Sequence, residues 1–461
     1  MTPVTTPPTL LVPPLLRHLH SDEFAPPPWT AADRRAVARV TAAGAGAAPR
    51  VGLTTAAWLD SRLGTAATLR AIDAEAGGGF YAVPPEAEHD RAAADAAFAG
   101  DEVVIDVQTH LVRPSLAAGS AGDALFGFLK SVDPVRWGGG VDPALLGGSM
   151  WAANVFGGSE TAVALLTSPP GRAHENVLTN DDIASVRDIV DRYADTGRVL
   201  THTIVHPNLG AAERDAMGEW SETLKPAGWK VYTLWEPPEA RAGVGWFLDD
   251  DETGGPFLEQ VRASGRTIVC AHKGLGGPIA SLAPAGASPR DVGPAAKAFP
   301  DITFVVYHSG YEMAGARDDD TDPAGGVGRL EASLRGAGVA PASNVYGELG
   351  STWYLVSRRP EEAAHVVGTL LRCVGEDRIL WGTDSIWYGA PQSLIDAFRA
   401  FTIPEWMQER FGYPALTAAA KRKILSTNAA TLYDIDLDRV RRTDVPAWLP
   451  DARAELATRL A

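Results

Sequence analysis

From residue 103 onward the chain alternates short apolar runs with helix-length stretches, and it does so eight times. The runs are VVIDVQTH (103–110), TAVALLTSP (161–169), RVLTHTIVHP (198–207), GWKVYTLW (228–235), RTIVCAHKG (266–274), ITFVVYHSG (302–310), NVYGELGS (344–351) and RILWGTDS (378–385). They are of strand length and nearly continuously apolar, as strands are when helices cover a parallel sheet. Credible helices lie between them. DDIASVRDIVDRYADTG follows Asn180, an N-cap candidate, and PRDVGPAAKAFP, RLEASLRGAG, PEEAAHVVGTLLRCVG and PQSLIDAFRAF fill the later gaps. The alternation predicts an α/β fold, a (β/α)8 TIM barrel, with a doubly wound open sheet as the rival. The count of eight and the placement of the polar residues favour the barrel.

The flanks read differently. Residues 1–100 open Pro-rich and continue with Ala-rich stretches at helical spacing, which predicts a partly helical N-terminal extension packed on the main domain. The barrel is expected over 101–403, and 404–461 as a C-terminal helical tail packed on it. The connection 111–160 is too long for an ordinary barrel loop. It carries Phe126, Phe128, Trp137, Trp151 and Phe156, which suggests a lid or pocket wall.

Composition narrows the function classes. With 41 Lys+Arg against 57 Asp+Glu the net charge is −16, and no basic patch stands out, which argues against nucleic acid. No apolar stretch approaches the ~20 residues of a membrane span. The N-terminus has no basic segment leading an unbroken apolar run, so no secretory signal is read. The only cysteines, Cys270 and Cys373, exclude a disulfide scaffold and fit a reducing compartment, so a cytoplasmic location is expected. Small molecules, peptides and other proteins remain open as partners, with a small molecule or short peptide expected as substrate.

Most of the apolar runs end in a histidine, acid or amide. The first ends in Asp106, Gln108 and His110. The third carries His202 and His206, the fourth Lys230, the fifth His272 and Lys273. The sixth ends in His308, the seventh carries Glu348, and the eighth ends in Asp384. In a parallel barrel these ends converge on the face that holds the active site. Gln108 and His110 are two apart, so both can grip one ion. Imidazoles with a carboxylate suit zinc or a similar divalent ion, whose bound water becomes acidic. Buried polar groups are costly without partners, so several at strand ends together point to a metal site.

On the segments IDVQTH, AHKG around His272, YHSG around His308 and WGTDS around Asp384, the chain resembles the amidohydrolase superfamily of metal-dependent barrel hydrolases. It is most similar to the branch that includes aminocarboxymuconate semialdehyde decarboxylase and related aromatic-acid decarboxylases. The resemblance implies that His110, His272 and Asp384 are metal ligands. It makes His308 a second-site ligand or the residue that orients the water, and Asp384 also the acceptor of the water's proton. It implies Zn2+, with Mn2+ or Fe2+ as alternatives, and a homo-oligomer. The family's first-strand motif is His-x-His. Here Gln108 stands first, a neutral and weaker ligand. Lys230 lies near the place of a carboxylated bridging lysine, with a structural or substrate-binding role weighed above that one.

Other residues complete the expected site. Glu348 could contact substrate, hold a ligand histidine, or be a buried structural acid. His202 and His206 suit a pocket wall, and Lys273 should turn towards a loop carboxylate. Trp353, Trp387 and Tyr388 suit an aromatic rim. The acidic runs Asp249–Glu252 and Asp318–Asp320 read as solvated loops, and Cys270 as core. The leading expectation is hydrolysis of an amide-type C–N bond. The alternative is non-oxidative decarboxylation of an aromatic or unsaturated acid, with Arg113 as the group for the carboxylate. A catalytically silent barrel used for binding is the third reading, motivated by Gln108.

Overall fold

The apolar runs are eight parallel strands in the computed structural model, which describes residues 11–22, 24–25, 28–113, 121–137, 139–140, 142–169, 171, 176–237, 244–275, 284–313 and 326–459. They are β1 (Val104–Thr109), β2 (Thr161–Leu166), β3 (Val199–Ile204), β4 (Gly228–Tyr232), β5 (Ile268–His272), β6 (Thr303–Tyr307), β7 (Val345–Glu348) and β8 (Ile379–Leu380). Their order in the sheet is their order in the chain. The ring closes where Val107 N donates to Trp381 O (3.0 Å) and Asp384 N to Gln108 O (2.9 Å), with a parallel bridge between Thr109 and Ser385. This is the (β/α)8 barrel, not the open sheet.

Inside the ring, Val103, Ile105, Val107, Leu165, Cys270, Val305, Tyr307 and Leu380 form one apolar cluster. The tail residues Ala429, Ala430, Tyr433 and Val440 join it beside the strand starts Val103 and Ile268, so the tail closes the N-terminal end of the barrel. A larger apolar layer lies between the strands and their helices. Helix Asn180–Ala194 shows how local sequence sets such a layer. Its cap is Thr179, whose hydroxyl and the carboxylate of Asp182 exchange hydrogen bonds with each other's backbone N–H. Asn180, expected as the cap, instead bonds both backbone groups of Ile204 and ties the helix to the end of β3.

One irregularity in β1 positions the site. Asp106 pairs with Ala164 and Thr109 with Leu166, so β1 holds one extra residue there. Such a bulge reverses the alternation of side chains. Val103, Ile105 and Val107 face inward below it, yet Gln108 and His110 face inward above it.

The N-terminal residues pack on the barrel. Helix Arg62–Glu75 buries Leu63, Leu69 and Ile72, and Arg62 pairs with the buried Asp396 of helix Gln392–Ala400 at 3.2 Å. Upstream, Leu19 N donates to the Tyr354 hydroxyl (3.2 Å), and Phe24 lies against the rings of Tyr354 and Tyr388. In the long β1–β2 connection, Trp137 donates to His20 Nε2 at 2.7 Å. Trp151 and Phe156 instead pack towards Trp448 of the tail. The Asp318–Asp320 run lies outside the described residues. Among the described residues no helix is long and apolar enough to cross a membrane.

Candidate active site

At the C-terminal ends of β1, β5, β6 and β8 four fully buried side chains meet. His110 Nδ1 bonds Thr167 O at 3.0 Å, which assigns its proton there and leaves the inner Nε2 as an acceptor. That Nε2 stands 3.0 Å from Asp384 Oδ1. His308 is oriented in the same manner by Nδ1 on Gly350 O (2.7 Å), and its Nε2 faces His272 Nδ1 at 3.2 Å. Outer nitrogens bound to backbone carbonyls are how ligand histidines are normally held. The sequence-predicted Gln108, His110, His272, His308 and Asp384 therefore do come together.

The backbone that presents them is strained. Among the described residues nine non-glycine residues have positive φ, and His308 (59°), Ser309 (52°), Ser351 (55°) and Asp384 (60°) are four of them. Each costs on the order of 1–3 kcal/mol, and such strain gathers at functional sites.

The amide of Gln108 occupies the middle of the cluster. Its Nε2 donates to Asp384 Oδ1 (3.0 Å) and lies 3.4 Å from both His110 Nε2 and His308 Nε2. Its Oε1 is buried and has no hydrogen-bond partner among the described residues. Two acceptors as close as His110 Nε2 and Asp384 Oδ1 need a donor or a cation between them, and here the amide is that donor. Among the described residues no three His, Cys, Asp or Glu side chains already surround one point at ion-binding geometry. The donor set itself, two or three imidazoles with a carboxylate and an amide, suits a divalent ion once the amide nitrogen leaves the centre.

Further groups hold this set. Glu348 Oε2 accepts from His308 N (2.9 Å) and its Oε1 from Gly350 N. It thus fixes the turn that carries His308, one of the roles its sequence position allowed. Burial pushes its carboxyl up to about 7. Asp106 accepts from Gln108 N (3.2 Å), Thr383 N (3.0 Å) and the Thr383 hydroxyl, pinning β1 to the β8 loop; burial, partly offset by those bonds, puts it at about 7. Asp384 Oδ2 accepts from Ser351 Oγ, which lies 2.6 Å from the Tyr388 hydroxyl. Sequence reasoning missed Ser351. It lies three residues past Glu348, the polar group that marks the end of β7, and its role depends on a backbone turn with positive φ.

Several of the expected substrate-binding residues make contacts with the protein itself. His202 sits lower in the barrel between Tyr307 OH (2.9 Å) and Cys270 Sγ (3.6 Å), and burial followed by the charge of Lys230 lowers it to about 3, so it is a neutral core histidine. Lys230 pairs in register with Cys270, below the His272–Tyr232 level, and its Nζ lies 3.4 Å from the Tyr307 ring centre. Arg113 is drawn to Asp182 at 3.2 Å, at the start of helix Asn180–Ala194. Trp353 donates to Leu394 O and packs edge-on against Phe398 and Phe401, in the helix layer rather than at a rim. Trp387 is fully buried, while Tyr388 stacks on Tyr354 at 4.0 Å. Lys273 turns away from the site to Asp291 at 2.7 Å, as its place after His272 predicts.

Residues 105–435 match the family model described as Amidohydrolase. No curated protein matches the sequence. Among solved structures, 5-carboxyvanillate decarboxylase from Sphingomonas paucimobilis is similar at 15% identity and a TM-score of 0.44, over 72% of this chain and 99% of that one. The 2,6-dihydroxybenzoate decarboxylase from Rhizobium is similar at 14% and 0.40, over 73% and 99%. A dihydroxybenzoic acid decarboxylase from Polaromonas, with bound manganese and 2-nitroresorcinol, is similar at 16% and 0.41, over 72% and 97%. At these values the likeness is one of fold.

Proposed function

Because this chain belongs to the amidohydrolase family and is thereby a metal-dependent hydrolase or decarboxylating lyase, we propose that it carries out the second kind of reaction, non-oxidative decarboxylation of an aromatic or unsaturated carboxylic acid. One observation carries the choice. Asp384 Oδ2, Ser351 Oγ and the Tyr388 hydroxyl form a continuous hydrogen-bonded chain of buried groups that leads away from the ion-binding side of the carboxylate. Decarboxylation breaks a C–C bond, leaves its electron pair on carbon, and releases CO2. The carbon then needs one proton from outside for every turnover. Hydrolysis of an amide has no such demand, because the attacking water supplies the proton that the leaving nitrogen takes. A chain of hydroxyls ending on the buried carboxylate answers the first need.

In this reading Asp384 delivers the proton to the substrate carbon, and Ser351 with Tyr388 restores it. His308 orients the substrate from its fixed ring position. His110, His272 and Asp384, with Gln108, would hold the ion; zinc, manganese and iron suit these donors. When bound, a divalent ion supplies positive charge where negative charge develops. The order of the sequence-based expectations is thus reversed, and amide hydrolysis becomes the second reading. The three similar structures are decarboxylases by name, but their likeness is of fold alone.

A panel of hydroxylated aromatic acids and of amides, incubated with the metal-loaded protein in D2O, tests the proposal. We expect CO2 release with one deuterium at the vacated carbon. Amine release without CO2 would replace it by the hydrolase reading.

A further inference from the structure

The Gln108 amide is placed as if two arrangements were built around it. Its nitrogen stands among His110, His308 and Asp384, and its oxygen points away from them. That oxygen lies 2.1 Å from the point where a Cβ on Gly350 would stand, and Glu348 Oε1 lies 2.6 Å from the same point. Both oxygens border the same space, which exists because residue 350 is glycine. A Cβ on Gly382 would lie 1.8 Å from Glu348 Oε1, so a second glycine keeps the same space open. A buried amide oxygen left without a donor is unfavourable. A half-turn about the last side-chain bond exchanges amide oxygen and nitrogen. The nitrogen would then stand on the side of Glu348 Oε1, an acceptor, and the oxygen would face His110, His308 and Asp384, where it suits a cation.

We infer that Gln108 is a two-position amide: its NH2 group takes the place of the cation in the metal-free protein, and its carbonyl oxygen joins the ligands when a divalent ion enters. The inference rests on the metal-dependent reading above. It gives the departure from His-x-His a physical role. A glutamate at this position would bring another acceptor to the centre, and a histidine could donate there only in the tautomer that cannot ligate an ion through the same nitrogen. Glutamine can serve both states, so the metal-free chain keeps a satisfied core and binds its ion less tightly in exchange.

Metal-stripped wild-type, Gln108→Glu and Gln108→His proteins, melted without metal and titrated with Zn2+ and Mn2+ by calorimetry, test this. The expected result has opposite signs. Both variants melt several degrees below wild type without metal, and bind the ion about tenfold more tightly or better. Variants as stable as wild type without metal, or ion affinity unchanged by the substitutions, would overturn the inference alone. No ion bound by any of the three would instead overturn the metal-dependent reading, and the inference with it.

A second readout needs no variant. The chain has four glutamines, Gln108, Gln260, Gln392 and Gln408, so selective 15N labelling gives four side-chain NH2 pairs. One pair should shift on adding Zn2+ as the amide turns. Four unmoved pairs in protein shown by calorimetry to be loaded would sink the two-position amide.

Discussion

Asp384 accepts from Ser351 and Gln108, so asparagine in its place keeps the shape and removes the charge and the proton. Under the proposed function, Asp384→Asn should lower kcat by about 10³-fold or more while the melting curve moves little, the scale expected for losing a general acid together with a ligand. Product formation within tenfold of wild type would remove Asp384 from the chemistry. His206 tests a different property. It is buried against Trp235 with Nε2 on Gly171 O, and burial lowers it to about 4. Its unfolded value is near 6.5, so between those values the unfolded chain binds the extra proton and stability falls as pH falls. From neutral pH to pH 5 this one group removes about 2 kcal/mol. Urea unfolding at pH 7 and pH 5 should show that loss in wild type and a correspondingly smaller one in His206→Gln. Equal losses would mean that His206 titrates normally.

Among the elements, the loops after β7 and β8 carry the tightest constraints. Gly382 leaves no room for a methyl group beside Glu348, and Gly350 leaves none beside Gln108. Gly382→Ala should cost about 1–3 kcal/mol through overpacking and displace the acid that holds the His308 turn. A thermal melt matching wild type would show that the loop relaxes freely. The glycines of ELGS and WGTDS are visible in the sequence, but their reason is not, since each makes room for a side chain from a different strand. The β1 bulge was equally hidden. The period-two pattern of VVIDVQTH names inward residues either up to Val107 or from Gln108 onward, and only pairing with β2 shows that the alternation reverses between them.

At the scale of the whole molecule, the N-terminal residues are joined to the barrel by groups far apart in sequence. Arg62 reaches Asp396, which is 1% exposed, and Glu160 at the start of β2. Burial still holds Asp396 up at about 6 against the pull of Arg62. Arg62→Ala strands that carboxylate and should destabilise the fold by about 3–5 kcal/mol, the usual cost of breaking a buried pair. The double variant Arg62→Met with Asp396→Leu should recover most of it. Equal chemical stability of wild type and Arg62→Ala would show that this contact contributes little.

The sequence alone determined the eightfold alternation, and with it the barrel, because strand and helix periods are local properties that burial imposes on every segment. It also determined which polar residues reach one face, since strand ends converge in any parallel barrel. Hence His110, His272, His308 and Asp384 were legible together. Tertiary structure decided the rest. It set His202 between Tyr307 and Cys270, laid Lys230 over the Tyr307 ring, turned Arg113 to Asp182 and Trp353 into the helix layer, and brought Ser351 to Asp384. Each of those outcomes depends on register, on a backbone turn with positive φ, or on a partner many residues away. None of these leaves a local pattern, because the energy that selects them comes from contacts that exist only once the strands have paired.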